Sequence, residues 1–346
     1  MDVVGVDIGF GFTKATDGKE SILFKSVLGE ATDIRFRLPI VKGEAGPCMH
    51  VEMDGRAYFV GDFAEQHSDT REFTLDQEKL LTEFSKVLTM TAISNLSDSY
   101  ANVNVVTGLP VGFYKEYNQR LMKMLKGIHE ITFHNGDGTS ETKRVNINNL
   151  KILPQPLGSF LNLLMSEYGK FTNSELAKQK IGIIDIGFRT TDCCIFQGME
   201  YIQRGSSTSD TGISESFSAI AKKLREESNV DIELYRLYKA IETGLIKIRG
   251  KEYNISKLRD KVFEHSASII ASDIARLWAD DWDIDLIIIS GGGAMELTKY
   301  LQPLIAGNVM PVETNIDARL NNVQGYLKYA RYLWGNVEPP AESEKK

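Results

Sequence analysis

Two aspartates close apolar runs half a chain apart, and the same three residues follow each. Val3-Val4-Gly5-Val6 leads into Asp7-Ile8-Gly9-Phe10, and Ile181-Gly182-Ile183-Ile184 leads into Asp185-Ile186-Gly187-Phe188. Hydroxyl residues come next, with a charge seven positions after each aspartate: Thr13-Lys14 in the first copy, Thr190-Thr191-Asp192 in the second. These are the parts a magnesium polyphosphate needs. Glycine lets backbone amides approach phosphate oxygens, and a carboxylate holds the hydrated cation without crowding them. In this reading Asp7 faces the metal, Gly9 and Gly11 open a turn flanked by Phe10 and Phe12, and Lys14 reaches a phosphate. Asp185, Gly187, Thr190 and Thr191 close on the terminal phosphate, with Asp192 near the metal's water shell. Either motif alone reads equally well as an ordinary strand turn, because short glycine motifs recur by chance. The duplication carries the expectation.

A third glycine cluster, Ser290-Gly291-Gly292-Gly293-Ala294, follows the aliphatic run 286–289. Alone it is a tight strand-to-helix turn. Beside two phosphate loops it offers a side-chain-free shelf for an adenosine.

The elements that must position these residues alternate between short apolar strands and helix-length amphipathic stretches, which predicts an α/β protein. Strands are expected near 3–6, 21–24, 57–60, 103–106 and 286–289. Helices are expected near 76–96, 111–126, 213–227, 232–243, 255–279 and 317–334. Residues 131–133 and 143–147, joined by Asn135-Gly136-Asp137-Gly138, read as a hairpin at a sheet edge. Pro154-Gln155-Pro156 reads as a break before a helix over 159–170.

With 346 residues, 42% of them hydrophobic, the chain can bury two cores. Its net charge of −7 disfavours direct binding to nucleic acid or to an anionic membrane. No apolar run approaches the roughly 20 residues that span a bilayer. The start carries no basic leader, and neither the first five residues nor the acidic tail makes an amphipathic anchor, so a cytoplasmic protein without a direct membrane anchor is expected. Cys48, Cys193 and Cys194 form no disulfide framework, and the last two read as buried strand residues. The five histidines have no metal-ligand spacing. Trp278 and Trp282 read as one helical face in a core or interface. Lys247 and Arg249 read as an exposed strand edge.

The motifs Asp7-x-Gly-x-Gly-x-x-Lys14, Asp185-x-Gly-x-x-Thr-x-Asp192 and Ile289-Ser-Gly-Gly-Gly293 resemble the two phosphate loops and the adenosine motif of the actin-like ATPases. The prolines around Gln155 resemble the first interdomain connector of that family, and Asn322-x-x-Gly325-Tyr326 resembles the second. The resemblance covers nearly the whole chain and is greatest to the ParM group of bacterial and archaeal actin-like proteins. It implies a ribonuclease H-like duplicated, two-domain actin-like fold with ATP or ADP and Mg²⁺ in the interdomain cleft. The expected division is 1–153 plus 322–336 for domain I, with a small subdomain near 20–75. Domain II would be 154–321, with a small subdomain near 210–262, and 337–346 a disordered tail.

The resemblance implies nucleotide contacts from Gly9, Phe10, Gly11, Phe12, Lys14, Gly187, Phe188, Arg189, Thr190, Gly291, Gly292, Gly293 and Ala294. Asp7, Asp185 and Asp192 would hold the metal, and Asp7, Asp185 and Gln155 would serve hydrolysis. A glutamine on a connector can orient a water by donating and accepting at once, and the family implies that role for Gln155. Phe188 and Arg189 depart from the glycines common at those positions, and Arg189 is open to three readings: phosphate contact, a pair with Asp192, or a solvated loop cation. The implied function is a cytoskeletal ATPase that forms homopolymer filaments and reaches DNA or other cargo through an adaptor. A small-molecule kinase of the same superfamily and a non-polymerising nucleotide-dependent scaffold are the alternatives.

Overall fold

The computed structural model describes residues 2–32, 49–310 and 317–335. Cys48 and the tail 337–346 lie outside the described residues. The first apolar run forms β1 (Asp2–Ile8), which turns back into β2 (Phe12–Thr16) and β3 (Ser21–Lys25). A small lobe follows: β4 (Leu28–Glu30), β5 (His50–Met53), β6 (Arg56–Val60), α1 (Asp62–His67) and β7 (Arg71–Glu72). The chain then re-enters the main body as α2 (Glu83–Asn95), β8 (Tyr100–Leu109), α3 (Val111–Leu125), β9 (Gly127–His134) and β10 (Ser140–Pro154). These strands share one sheet in the order β3-β2-β1-β8-β10-β9-β5-β6-β4-β7.

Helix α4 (Gln155–Leu164) leads to the second half. There β11 (Lys180–Ile186) turns into β12 (Thr191–Gln197) and β13 (Glu200–Ser209). Next come α5 (Ser214–Ser228), α6 (Tyr238–Thr243), the hairpin β14 (Leu245–Ile248) and β15 (Lys251–Asn254), and α7 (Ser256–Leu277). The chain ends with β16 (Leu286–Ser290), α8 (Ala294–Leu301) and α9 (Asn321–Trp334). The second sheet runs β13-β12-β11-β16.

The repeated tetrapeptide is a repeated structure. β1 pairs antiparallel with β2 and parallel with β8, and β11 pairs antiparallel with β12 and parallel with β16. Every residue of β11 is buried, as expected of a central strand covered on both faces. Val4 and Val6 of β1 join the cluster containing Val87 and Leu88 of α2, whereas Val3 packs with Tyr326 and Ala330 of α9. Alternation along the strand therefore puts α2 on one face of β1 and α9 on the other.

Four local expectations need correction. The 127–154 hairpin is not at an edge: β9 lies between β10 and β5 and ties the small lobe to the main sheet through Val51 and Glu52. The Pro-Gln-Pro segment starts a helix instead of breaking one, because Pro156 falls in the first turn, where its missing N–H has no intrahelical partner to lose. Residues 77–81 form a separate 3₁₀ turn before α2. α7 ends at Leu277, so Trp278 is buried beside Gly205, to which its indole N–H donates, while Trp282 is 88% exposed on the following loop.

Candidate functional site

The carboxyl ends of β1 and β11 deliver Asp7 and Asp185 to one cavity of about 520 Å³ between the two halves. In both turns the first glycine amide closes the loop on itself: Gly9 N donates to Phe12 O at 3.1 Å and Gly187 N to Thr190 O at 2.8 Å. Those two amides are therefore committed to shaping the turns. Lys14 stands opposite Asp7 in the β1/β2 register, and its Nζ lies 2.7 Å from Asp7 Oδ2. The other oxygen, Oδ1, accepts from Gln155 Nε2 at 3.2 Å. Gln155 reaches it because α4 begins at this residue, directly after β10.

Among the described residues Asp185 has no cationic partner of this kind. Its Oδ2 accepts from Asn322 Nδ2 at 2.6 Å, and burial pushes its carboxyl up to about 7 against that favourable bond. Asn322 is held in turn: its Oδ1 accepts from Ser159 N at 3.0 Å and Ser159 Oγ at 2.7 Å, and Ser159 Oγ lies 2.6 Å from Ser290 Oγ. One network thus joins α9, α4 and the end of β16 to the Asp185 carboxyl. The helices can carry it because α4 and α9 touch at Gly158 and Gly325, where a Cβ would strike the backbone of the other helix.

Gly291 completes the floor. Its φ of +91° suits glycine, and a Cβ there would collide with Asp185 Oδ1. Gly292, Gly293, Met295, Lys239, Glu242 and Arg319 also line the cavity, with Arg319 stacked 5.1 Å over the ring of Phe12. Phe188 turns inward, with ring centroids 5.3 Å from Phe217 and 5.6 Å from Tyr238. Tyr238 also packs 4.6 Å from Phe12, so an aromatic layer spans the cleft. Above it, Tyr235 of the second half is buried among Val27, Phe59, Phe63 and Ala64 of the first. Arg71–Glu233 at 3.1 Å and Arg236–Glu65 at 3.4 Å flank that contact.

Of the residues expected at the site, Asp7, Gly9, Phe10, Gly11, Phe12, Lys14, Gln155, Asp185, Gly187, Phe188, Arg189, Thr190 and Gly291–Gly293 all line the cavity. Two do not. Ala294 is fully buried and its amide donates to Gly291 O, closing the turn into α8. Asp192 does not reach the cavity itself: its Oδ1 accepts from Val111 N at 2.8 Å and from the Thr208 hydroxyl, and its Oδ2 faces the cavity-lining Thr190 at 3.4 Å. Arg189 neither pairs with Asp192 nor stands as a free loop cation: it lines the cavity while its Nε donates to Leu75 O at 3.0 Å and its Nη1 pairs with Asp210 at 3.1 Å. Asn322, Tyr238, Arg319 and Lys25 were not among the expected site residues. Asn322 had a local signal in the Asn-x-x-Gly-Tyr segment; the others had none. Lys25 lines the cavity and pairs with Glu65 at 2.6 Å and Asp62 at 2.9 Å. No helix among the described residues is long and apolar enough to cross a membrane.

A model of the N-terminal domain of actin-like proteins matches residues 5–158, and a model of the C-terminal region of archaeal MreB-like actin homologues matches residues 183–303. Among curated proteins no match is found. Among solved structures the chain is similar to a non-polymerisable quadruple mutant of pCBH ParM, with 24% identity, 95% of this chain and 99% of that chain covered, and a TM-score of 0.80. It is similar to a 15-stranded ParM filament from Clostridium botulinum, with 22% identity, the same coverage and a TM-score of 0.80. An archaeal actin homologue in complex with ADP shares 19% identity over 95% of this chain and 99% of that one, with a TM-score of 0.76. The two sheets built on the same strand–turn–strand unit, with a cleft between them, and the two family models across both halves make this chain an actin-like protein with a two-domain α/β actin-like fold.

Proposed function

We propose that the cleft binds a magnesium adenine nucleotide, that the protein hydrolyses ATP to ADP and phosphate, and that the bound nucleotide governs assembly of copies into filaments. One observation carries this reading: both Asp-Ile-Gly-Phe turns, the glycine shelf and Gln155 converge on a single cavity of about 520 Å³. That volume suits a nucleotide-sized ligand. The donor set fits a hard cation, since Asp7 and Asp185 offer carboxylate oxygens and burial leaves Asp185 short of positive charge. Asp7 and Asp185 would hold magnesium, which would neutralise phosphate charge there. Lys14 is within reach of a phosphate once it leaves Asp7. Gln155 orients the attacking water, accepting at Oε1 while Nε2 stays anchored on Asp7. Gly291–Gly293 offer the shelf for the adenosine, and Met295, Arg319, Lys239 and Glu242 line the same cavity.

The ADP-bound archaeal homologue and the ParM filament support the nucleotide and polymer parts of this reading. We divide the chain functionally into domain I (1–153 with 322–336) and domain II (154–321). DNA segregation or intracellular positioning through a separate adaptor is the role we assign. Calorimetry with ATP and ADP with and without Mg²⁺, phosphate release, and pelleting with electron microscopy test it. Absence of nucleotide binding sinks the whole reading, and a monomer at all concentrations with ATP sinks its filament part.

A further inference from the structure

Helix α3 carries no cap of its own. Pro110 at its N-cap makes no side-chain hydrogen bond to the first turn. The opposite half supplies one instead. Val111 N donates to Asp192 Oδ1 at 2.8 Å, Gly112 N donates to Thr208 Oγ1 at 2.7 Å, and Thr208 Oγ1 donates to Asp192. Asp192 and Thr208 are register partners on β12 and β13, so the sheet of the second half presents them together. A cap stabilises the first turn of a helix, and a carboxylate also meets the positive end of the helix dipole. Here that contribution exists only while the two halves keep this relation.

The same carboxylate faces the ligand cavity through one residue. Thr190, which lines the cavity, directs its hydroxyl to Asp192 Oδ2 across 3.4 Å. Asp192 is 2% exposed, with one oxygen turned to α3 and the other to the second glycine loop. An anion at that loop competes for the Thr190 hydroxyl and changes the hold of Asp192 on the helix.

We propose that Asp192 and Thr208 form a trans-domain cap that couples occupancy of the second phosphate loop to the start of helix α3 in the other domain. They are positioning residues, and the coupling rests on the reading that the cleft binds a nucleotide. The test is hydrogen–deuterium exchange of the full chain at residues 111–115, empty and with ADP or a non-hydrolysable ATP analogue. Thr208→Val is expected to speed exchange there roughly fivefold or more, with Thr208→Ser restoring the parent rate. In the parent, exchange at 111–115 should differ between the two nucleotides; in Thr208→Val that difference should vanish while nucleotide affinity stays within about threefold. Parent-like exchange in Thr208→Val, or a nucleotide-dependent difference that survives the substitution, overturns the proposal. If the parent binds no nucleotide, the nucleotide reading and the coupling fail together, and the exchange of the empty variants still decides whether the cap exists.

Discussion

The two Asp-Ile-Gly-Phe turns begin with the same residues and end in opposite electrostatic states. In the first, the residue opposite the aspartate is Lys14, and the pair neutralises itself within one hairpin. In the second, the residue opposite Asp185 is Asp192, which turns away to the other domain and leaves Asp185 with an amide for company. One copy thus holds a buried ion pair and the other a buried acid with a neutral partner. A duplicated motif therefore makes an asymmetric site, and the asymmetry resides in the charge seven residues downstream.

Breaking the compensated copy should have the largest effect on folding. Lys14→Met leaves Asp7 buried without its counter-charge, and thermal or urea unfolding should show a loss of about 3 kcal/mol or more. The uncompensated copy should respond the other way. Asp185→Asn is expected to raise the stability of the empty protein while lowering magnesium-dependent ATP turnover about 100-fold or more; a turnover near that of the parent would remove Asp185 from the metal site. Gln155→Ala should leave nucleotide affinity within about threefold and slow hydrolysis about tenfold or more, which single-turnover phosphate release can measure against calorimetric binding.

The smallest effect sharpens the comparison through pH. Burial raises Asp185 to about 7 and Asp192 to about 6, both above the usual 3.8 of an aspartate. The folded state therefore holds protons that the unfolded chain releases between about pH 4 and 7, so these groups make the empty protein more stable as pH falls through that window. Melting temperature of the empty protein should rise modestly from pH 7.5 to 5.5. Magnesium nucleotide should reverse the trend, because the cation favours ionised Asp185. A pH dependence identical in the parent and in Asp185→Asn would show that Asp185 is not perturbed, a comparison that removes the opposite contribution of His50 and His129, whose pKa burial lowers.

The chain's local order determined a good deal. Apolar runs ending in Asp-Ile-Gly-Phe specified strand, turn and return strand twice, because alternation and turn chemistry act over a few residues. The glycine shelf after β16 and the helix starting near Val111 were legible for the same reason. Asp192 was read as a metal residue from its place in the motif, yet its partner Val111 lies 81 positions away. Asn322 meets Asp185 across 137 positions, and Gln155 meets Asp7 across 148. The family resemblance supplied a role for Gln155, but no local rule places its amide on Asp7. No local rule pairs Arg189 with the carbonyl of Leu75, 114 positions away in the first half. Local sequence thus determined which side chains stand at the strand ends. Only the packing of two domains decided which charges face each other, because a buried group takes its partner from whatever the fold brings within hydrogen-bond distance.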